Sequence, residues 1–202
     1  MSLLLRVELP DVPGSLGRLA TAIGSAGGDI EALEIVEKRY DGTAVDDVLL
    51  ETPPGVMPDS IVSACNALDG VQVVWISRYA AGNNLFLDLE VVEELTGAPE
   101  VALERLVDML PVTFRCEWGA WVGPGDEVLR GTEGAPANVP YSWADKPVHL
   151  DAHEGEDLLC AAPLTGKDIV VLGRRGGPEF LQSELARLGH LAALAASIAS
   201  RG

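Results

Sequence analysis

The sequence predicts an α+β chain in two parts, and three observations carry that expectation. Residues 3–78 alternate extended apolar runs with amphipathic helical spacing in the order β-α-β-β-α-β. Residues 85–200 read as helices, then several short strands, then one long closing helix. Finally, 202 residues with 48% apolar and only 5% aromatic content can bury cores of Val, Leu, Ile and Ala in one ordinary domain or two small ones.

Taken in order, Leu3, Leu5, Val7 and Leu9 share one face of a half-buried strand. Pro13 suits the first turn of a helix, and Leu16, Leu19, Ala20 and Ile23 follow at helical spacing until Gly27-Gly28 stops it. Asp29–Lys38 reads as a second strand, Tyr40-Asp41-Gly42 as a hairpin turn and Ala44–Glu51 as a third strand. Pro53-Pro54-Gly55 breaks the chain before a helix over Pro58–Leu68, and Asp69-Gly70 turns into a strand over Val71–Arg78. This order gives a ferredoxin-like sandwich, a four-stranded antiparallel sheet with both helices on one face and the other face bare.

Ala80–Asn84 is expected as a linker. Helices are expected over Leu85–Thr96 and Ala98–Leu110, and strands over 111–122, 127–131, 148–151, 158–163 and 168–174. A Pro/Gly-rich loop covers 132–147, and a helix over Phe180–Ser200 closes the chain.

Charge narrows the function classes. The net charge is −17, with 5 basic and 12 acidic residues up to Ala80 and 9 basic and 19 acidic residues after it. Both parts repel phosphate backbones, so neither nucleic acid nor an anionic membrane is an expected partner. Arg6 and Glu8 interrupt the first apolar run, so no signal peptide is expected, and no apolar stretch nears the length of a membrane span. Three unpaired cysteines, Cys65, Cys116 and Cys160, suggest buried thiols in a reducing, cytoplasmic setting.

The turn Asp11-Val12-Pro13-Gly14-Ser15-Leu16 is the candidate binding site. A strand that bends into a helix presents unpaired backbone N–H groups at the positive end of the helix dipole, which suits a small carboxylate. Gly14 removes a Cβ that would hinder close approach. Asp11 or Asp29 would accept from an ammonium group; the plainer alternative is that Asp11 caps the helix and Asp29 settles the turn after Gly28.

Other motifs carry weaker expectations. His149, Asp151 and His153 alternate along an extended segment and could ligate zinc or iron, or form a solvated edge. Arg174-Arg175-Gly176-Gly177 could clamp an anion or simply turn the chain. Trp118, Trp121 and Trp143 could line a pocket, though Trp118 and Trp121 should face opposite sides of their strand. No phosphate loop, nucleophile elbow or zinc-protease motif is present, so no catalytic residue, resident metal or cofactor is expected and the chain does not read as an enzyme.

The ordered set from strand through Asp-x-Pro-Gly-x-Leu, Gly-Gly-Asp-Ile, the hairpin, the Pro-rich turn and Asp-Gly-Val resembles the ACT domain family over residues 3–78. More weakly, Leu158–Leu164, Asp168–Arg175 and Pro178-Glu179-Phe180 with the helix after them are similar to the end of a GAF domain. The resemblances imply an ACT domain over 1–80 and a GAF-like α/β sandwich with an antiparallel sheet over 81–202. They also imply an amino acid or related metabolite held where two ACT copies meet, by Asp11, Val12, Pro13, Gly14, Ser15 and Leu16 with Asp29 and Ile30 opposite. Many amino-acid-binding relatives carry Asn where Asp11 and Asp29 stand. The expected function is a non-catalytic, homodimeric regulatory protein that senses a small metabolite. The alternatives are a dimerisation module with a degenerate site, or the regulatory subunit of a biosynthetic enzyme.

Overall fold

The structure is a computed structural model that describes residues 1–78, 84–139, 141–151 and 157–201, with side chains left aside for 84–86. The expected linker at 80–84 lies almost wholly outside the described residues. The chain is α+β and divides into two compact units, Met1–Ala81 and Gly82–Gly202, each with its own antiparallel sheet.

In the first unit β1 (Ser2–Pro10), α1 (Ser15–Ser25), β2 (Asp29–Lys38), β3 (Thr43–Glu51), α2 (Pro58–Asn66) and β4 (Gln72–Arg78) follow one another. The sheet order is β2-β3-β1-β4, so β2 and β4 are its edges. Alternation along β1 sends Leu3, Leu5, Val7 and Leu9 into a core with Leu19 and Ile23 of α1, Ile61 and Cys65 of α2, and Ala44, Val48 and Leu50 of β3. Burial of these apolar side chains drives the unit together.

The sheet face turned away from α1 and α2 is not bare at its centre, contrary to the expectation from sequence. Leu4, Arg6, Val45, Asp47 and Leu49 are buried there. Arg6 is the ladder partner of both Asp47 on β3 and Trp75 on β4, so one long side chain spans three strands. Its guanidinium donates to both Asp47 oxygens at 2.7 and 2.9 Å and lies 5.9 Å from the Trp75 ring centre. A buried guanidinium is tolerated only with this kind of pairing.

The second unit comprises α3 (Asn84–Gly97), a 3-10 turn at Pro99–Val101, α4 (Ala102–Phe114), β5 (Trp118–Gly123), β6 (Glu127–Gly131), β7 (Val148–Leu150), β8 (Asp157–Pro163), β9 (Ile169–Arg175) and α5 (Gln182–Ala199). Its sheet runs β6-β5-β9-β8-β7. One face carries Cys160, Ala162, Val170 and Leu172 into a core with Leu106, Leu110 and Phe114 of α4 and Leu185, Leu188 and Ala192 of α5.

Two expectations need correction here. The strand expected over 111–122 begins only at Trp118, because α4 runs on through Pro111 to Phe114. The spacing Leu106, Leu110, Thr113, Phe114 keeps a buried helical face and outweighs the hydrogen bond lost at Pro111. The loop 132–147 also does more than connect. Val139 is fully buried, and Ala135 and Tyr141 pack with it against Trp118, Ala120, Ile169 and Val171, closing the second face of the sheet.

Candidate functional site

Pro10 ends β1, and the Asp11 N–H donates to the Gly42 carbonyl at 2.8 Å, tying the turn to the β2–β3 hairpin. The Val12 N–H donates to Pro10 at 2.9 Å and the Ser15 N–H to Val12 at 3.2 Å. Gly14 then caps α1 with φ +91°, and the Arg18 N–H closes the first helical ring on the Gly14 carbonyl at 3.1 Å. No side chain caps the helix and its first turn holds no acidic residue. Among the described residues, the N–H groups of Gly14, Leu16 and Gly17 therefore have no acceptor.

This geometry revises two expectations, those for Pro13 and Asp11. Pro13 precedes α1 rather than opening it, because Gly14 is the capping position. Gly14 also answers a need of its own backbone: an added Cβ would meet nothing of the protein within 4 Å, but a φ of +91° is left-handed. Nor does Asp11 cap the helix. Its two carboxylate oxygens each accept from Lys38 Nζ at 3.0 Å, because Lys38 ends β2 opposite Ala44 and faces the turn.

The remaining expected residues divide. Val12 and Pro13 are exposed, Ser15 is buried, and Leu16 packs on the core of the first unit. Asp29 and Ile30 lie at the opposite end of the sheet, opposite Glu51 and Leu50, while Ser2 of β1 pairs with Glu51 from the other side. Within one chain they do not join the Asp11–Leu16 turn, because α1 carries the chain back along the length of the sheet before β2 begins. Ile30 packs on the core, and Asp29 is exposed.

Sequence reasoning missed Lys38 and Asp46. Asp46 is 1% exposed, and its Oδ1 is buried without a hydrogen-bond partner. It stands opposite Val7 and Ile35, on the face where Ala44, Val48 and Leu50 meet the helices. Burial, then the Asp11 and Asp47 carboxylates, push its carboxyl up to about 6, against an opposing pull from Lys38. The alternation Ala44, Asp46, Val48, Leu50 is the signal that would have found it. Lys38 left no such signal, since its meeting with Asp11 depends on ladder register.

In the second unit the candidate motifs are used for structure. Trp118 and Trp121 face opposite sides of β5, as their spacing predicts; Trp118 packs with Val139, and Trp121 packs on the helix-side core. Trp118 Nε1 donates to Asp157 at 3.0 Å, and Trp121 Nε1 to Asp168 at 2.9 Å. Trp143 carries the Lys167 ammonium 4.5 Å from its ring centre.

Arg174 is buried and donates to the Phe114 and Pro178 carbonyls and to Glu184 Oε1. The other Glu184 oxygen accepts from the Leu181 N–H at the start of α5. Arg174 thus locks β9 to α4 and α5 and is no anion clamp, while Arg175 pairs with Asp157.

His149 and Asp151 are exposed, and His153 lies outside the described residues. Among the described residues, no group of three or more His, Cys, Asp or Glu could hold a metal ion. Cys65, Cys116 and Cys160 are all buried; desolvation pushes Cys65 up to about 11 and Cys116 up to about 12, so none is a ready nucleophile. No described helix is long and apolar enough to cross a membrane.

No family model matches the chain. NAD-dependent malic enzyme 1 of Bacillus subtilis (strain 168) is 28% identical over 134 residues, 65% of this chain. The chain spans only 27% of that enzyme's length. Among solved structures, a formyltetrahydrofolate deformylase from Pseudomonas putida KT2440 aligns with 47% of this chain and 38% of its own, at TM-score 0.30 and 11% identity. An unknown protein from Galdieria sulphuraria aligns with 85% of this chain and 78% of its own, at TM-score 0.33 and 12% identity. Likenesses at these scores assign no fold family.

Proposed function

We propose that the first unit is an ACT-like regulatory module that binds the carboxylate of a small amino acid or related metabolite at the start of α1. The observation that carries this reading is the uncapped helix start, where the N–H groups of Gly14, Leu16 and Gly17 have no acceptor. Lys38 beside the turn adds positive charge in an otherwise acidic chain. The match to a stretch of a malic enzyme supports kinship with part of a metabolic enzyme, and at 134 residues it extends beyond this unit. Binding would stiffen the turn and change what the GAF-like second unit contacts, without chemistry on the ligand.

A second copy would complete the site. β2 is an edge strand with Ile35 44% exposed. Antiparallel pairing of two β2 edges brings one chain's Asp29 and Ile30 alongside the other's Lys38, and with it the Asp11 turn.

The Lys38–Asp11 pair favours a second reading, in which the module only dimerises because Asp11 is already occupied. Differential scanning fluorimetry with the twenty amino acids separates the two. The sensor reading expects at least one of them to raise Tm in a saturable way; a flat response to all twenty, from a chain that still dimerises, supports the second.

A further inference from the structure

The loop 132–147 is held to its sheet differently at its ends and in its middle. At one end the Thr132 N–H donates to the Gly119 carbonyl and the Thr132 hydroxyl accepts from the Gly119 N–H, both at 2.9 Å. At the other, Pro147 fills a notch in α5, where a Cβ at Gly189 would stand 2.5 Å from its ring, and β7 then joins the sheet. Between these anchors no strand or helix forms among the described residues. The loop is a strap with fixed ends and a middle outside the ladder.

A plug and a latch hold that middle. On the covered face Ala120, Val171 and Ala161 share one rung, flanked by Trp118 and Leu159 on one side and by Val122 and Ile169 on the other. An alanine side chain ends at Cβ, so the rung is a hollow between taller neighbours, and the fully buried Val139 packs in this cluster. In the latch, the Tyr141 N–H donates to Asp126 Oδ1 at 2.8 Å and the Tyr141 hydroxyl to the Lys167 carbonyl at 2.6 Å. The Lys167 ammonium stands 4.5 Å from the Trp143 ring centre. Asp126 and Lys167 belong to the turns after β5 and β8, and both are exposed, as is Trp143. Asp126 also keeps a left-handed φ of +65°, a conformation that glycine adopts more readily, and its bond to the strap offsets that strain.

We propose that the strap is a gate whose middle lifts with Val139 while Thr132 and Pro147 stay anchored, uncovering the Ala120–Val171–Ala161 hollow on a sheet that remains folded. Opening costs one apolar plug and a few exposed polar contacts, whereas the other face of the sheet keeps its own core with α4 and α5. The gate belongs to the second unit and stands apart from the ligand-binding reading of the first.

Thiol labelling of the full chain with Ellman's reagent at pH 7.5 tests it. Cys160 and Ala161 are neighbours on β8 that face opposite sides of the sheet, Cys160 toward the helices and Ala161 toward the strap. The three native thiols are buried and report unfolding. Ala161→Cys should add a fourth thiol that reacts about a hundredfold faster than these three, yet far more slowly than a free thiol. In that background Tyr141→Phe, which removes one latch bond, should speed its labelling about fivefold. Asp126→Gly, which removes the other and suits the left-handed turn, should do the same. If Ala161→Cys does not fold, Ala120→Cys reads the same hollow from β5. A fourth thiol as slow as the native three overturns the gate, and so does one as fast as a free thiol. Latch variants that leave its rate unchanged overturn it as well.

Discussion

Lys38 holds Asp11 with both carboxylate oxygens 3.0 Å from its ammonium, so the end of β2 and the turn after β1 meet at one ion pair. The side chains remain 58% and 38% exposed, and pairs of this kind add little stability. Lys38→Ala should therefore change the unfolding free energy by less than about 1 kcal/mol in urea titration. The same substitution should weaken any carboxylate ligand at the turn, with a weaker dependence on salt than wild type shows. A stability loss of several kcal/mol would mean that the pair holds the turn in place.

Gly14 meets a conformational need. Its left-handed φ with open space around the missing Cβ predicts that Gly14→Ala costs about 1–2 kcal/mol, while Gly14→Asn costs less, because Asn enters this region more readily. Urea unfolding of both variants measures the order. Equal losses would show that steric contact, not backbone strain, governs the position.

Asp46 should make the first unit more stable in mild acid than at neutral pH. Its carboxyl titrates at about 6 in the folded chain, above the ordinary carboxylate value of about 3.9. The native state thus binds the proton more tightly than the unfolded state. That stability is fully present below about pH 4 and is lost as pH rises through about 6. Asp46→Asn should exceed wild type by about 1–2 kcal/mol at pH 7, with the gain vanishing by pH 4. A variant equal to wild type at pH 7 would show that Asp46 finds a partner in solution.

Gly173 lies beneath Trp118. The two are ladder partners on β9 and β5, and a Cβ at Gly173 would overlap the indole ring, whose Nε1 donates to Asp157. Gly173→Ala should expel the ring and destabilise the second unit by about 1–3 kcal/mol. Trp118→Phe keeps most of the packing but loses the bond that, with Arg175, holds Asp157 below the ordinary carboxylate range. Its stability deficit should therefore be present above about pH 4 and shrink as pH falls below that. Thermal unfolding between pH 3 and 7 checks both.

Most of the first unit was legible in its sequence because period-two alternation and turn residues agree there. Leu3 to Leu9 sets the core face, Tyr40-Asp41-Gly42 makes the hairpin and Gly27-Gly28 ends α1. What escaped depends on register: Lys38 reaches Asp11 only because it pairs with Ala44, and Asp29 sits far from the turn only because α1 returns along the sheet. In the second unit Pro111 suggested a break that a buried helical stripe overrides, and the Pro/Gly-rich loop 132–147 shows no periodicity that would mark Val139 as a core residue. Arg174 read as an anion clamp or part of a turn, and not as a buried lock, because its partners Phe114 and Glu184 come from two helices distant in sequence.

The most direct test of the account is an NMR titration of the ¹⁵N-labelled chain with amino acids, following the backbone amides of Gly14, Leu16 and Gly17. The account predicts that one amino acid shifts all three in a saturable manner, with smaller changes elsewhere in the first unit. Amides at these positions that stay still while another surface responds, or while none does, would contradict a carboxylate site at the start of α1.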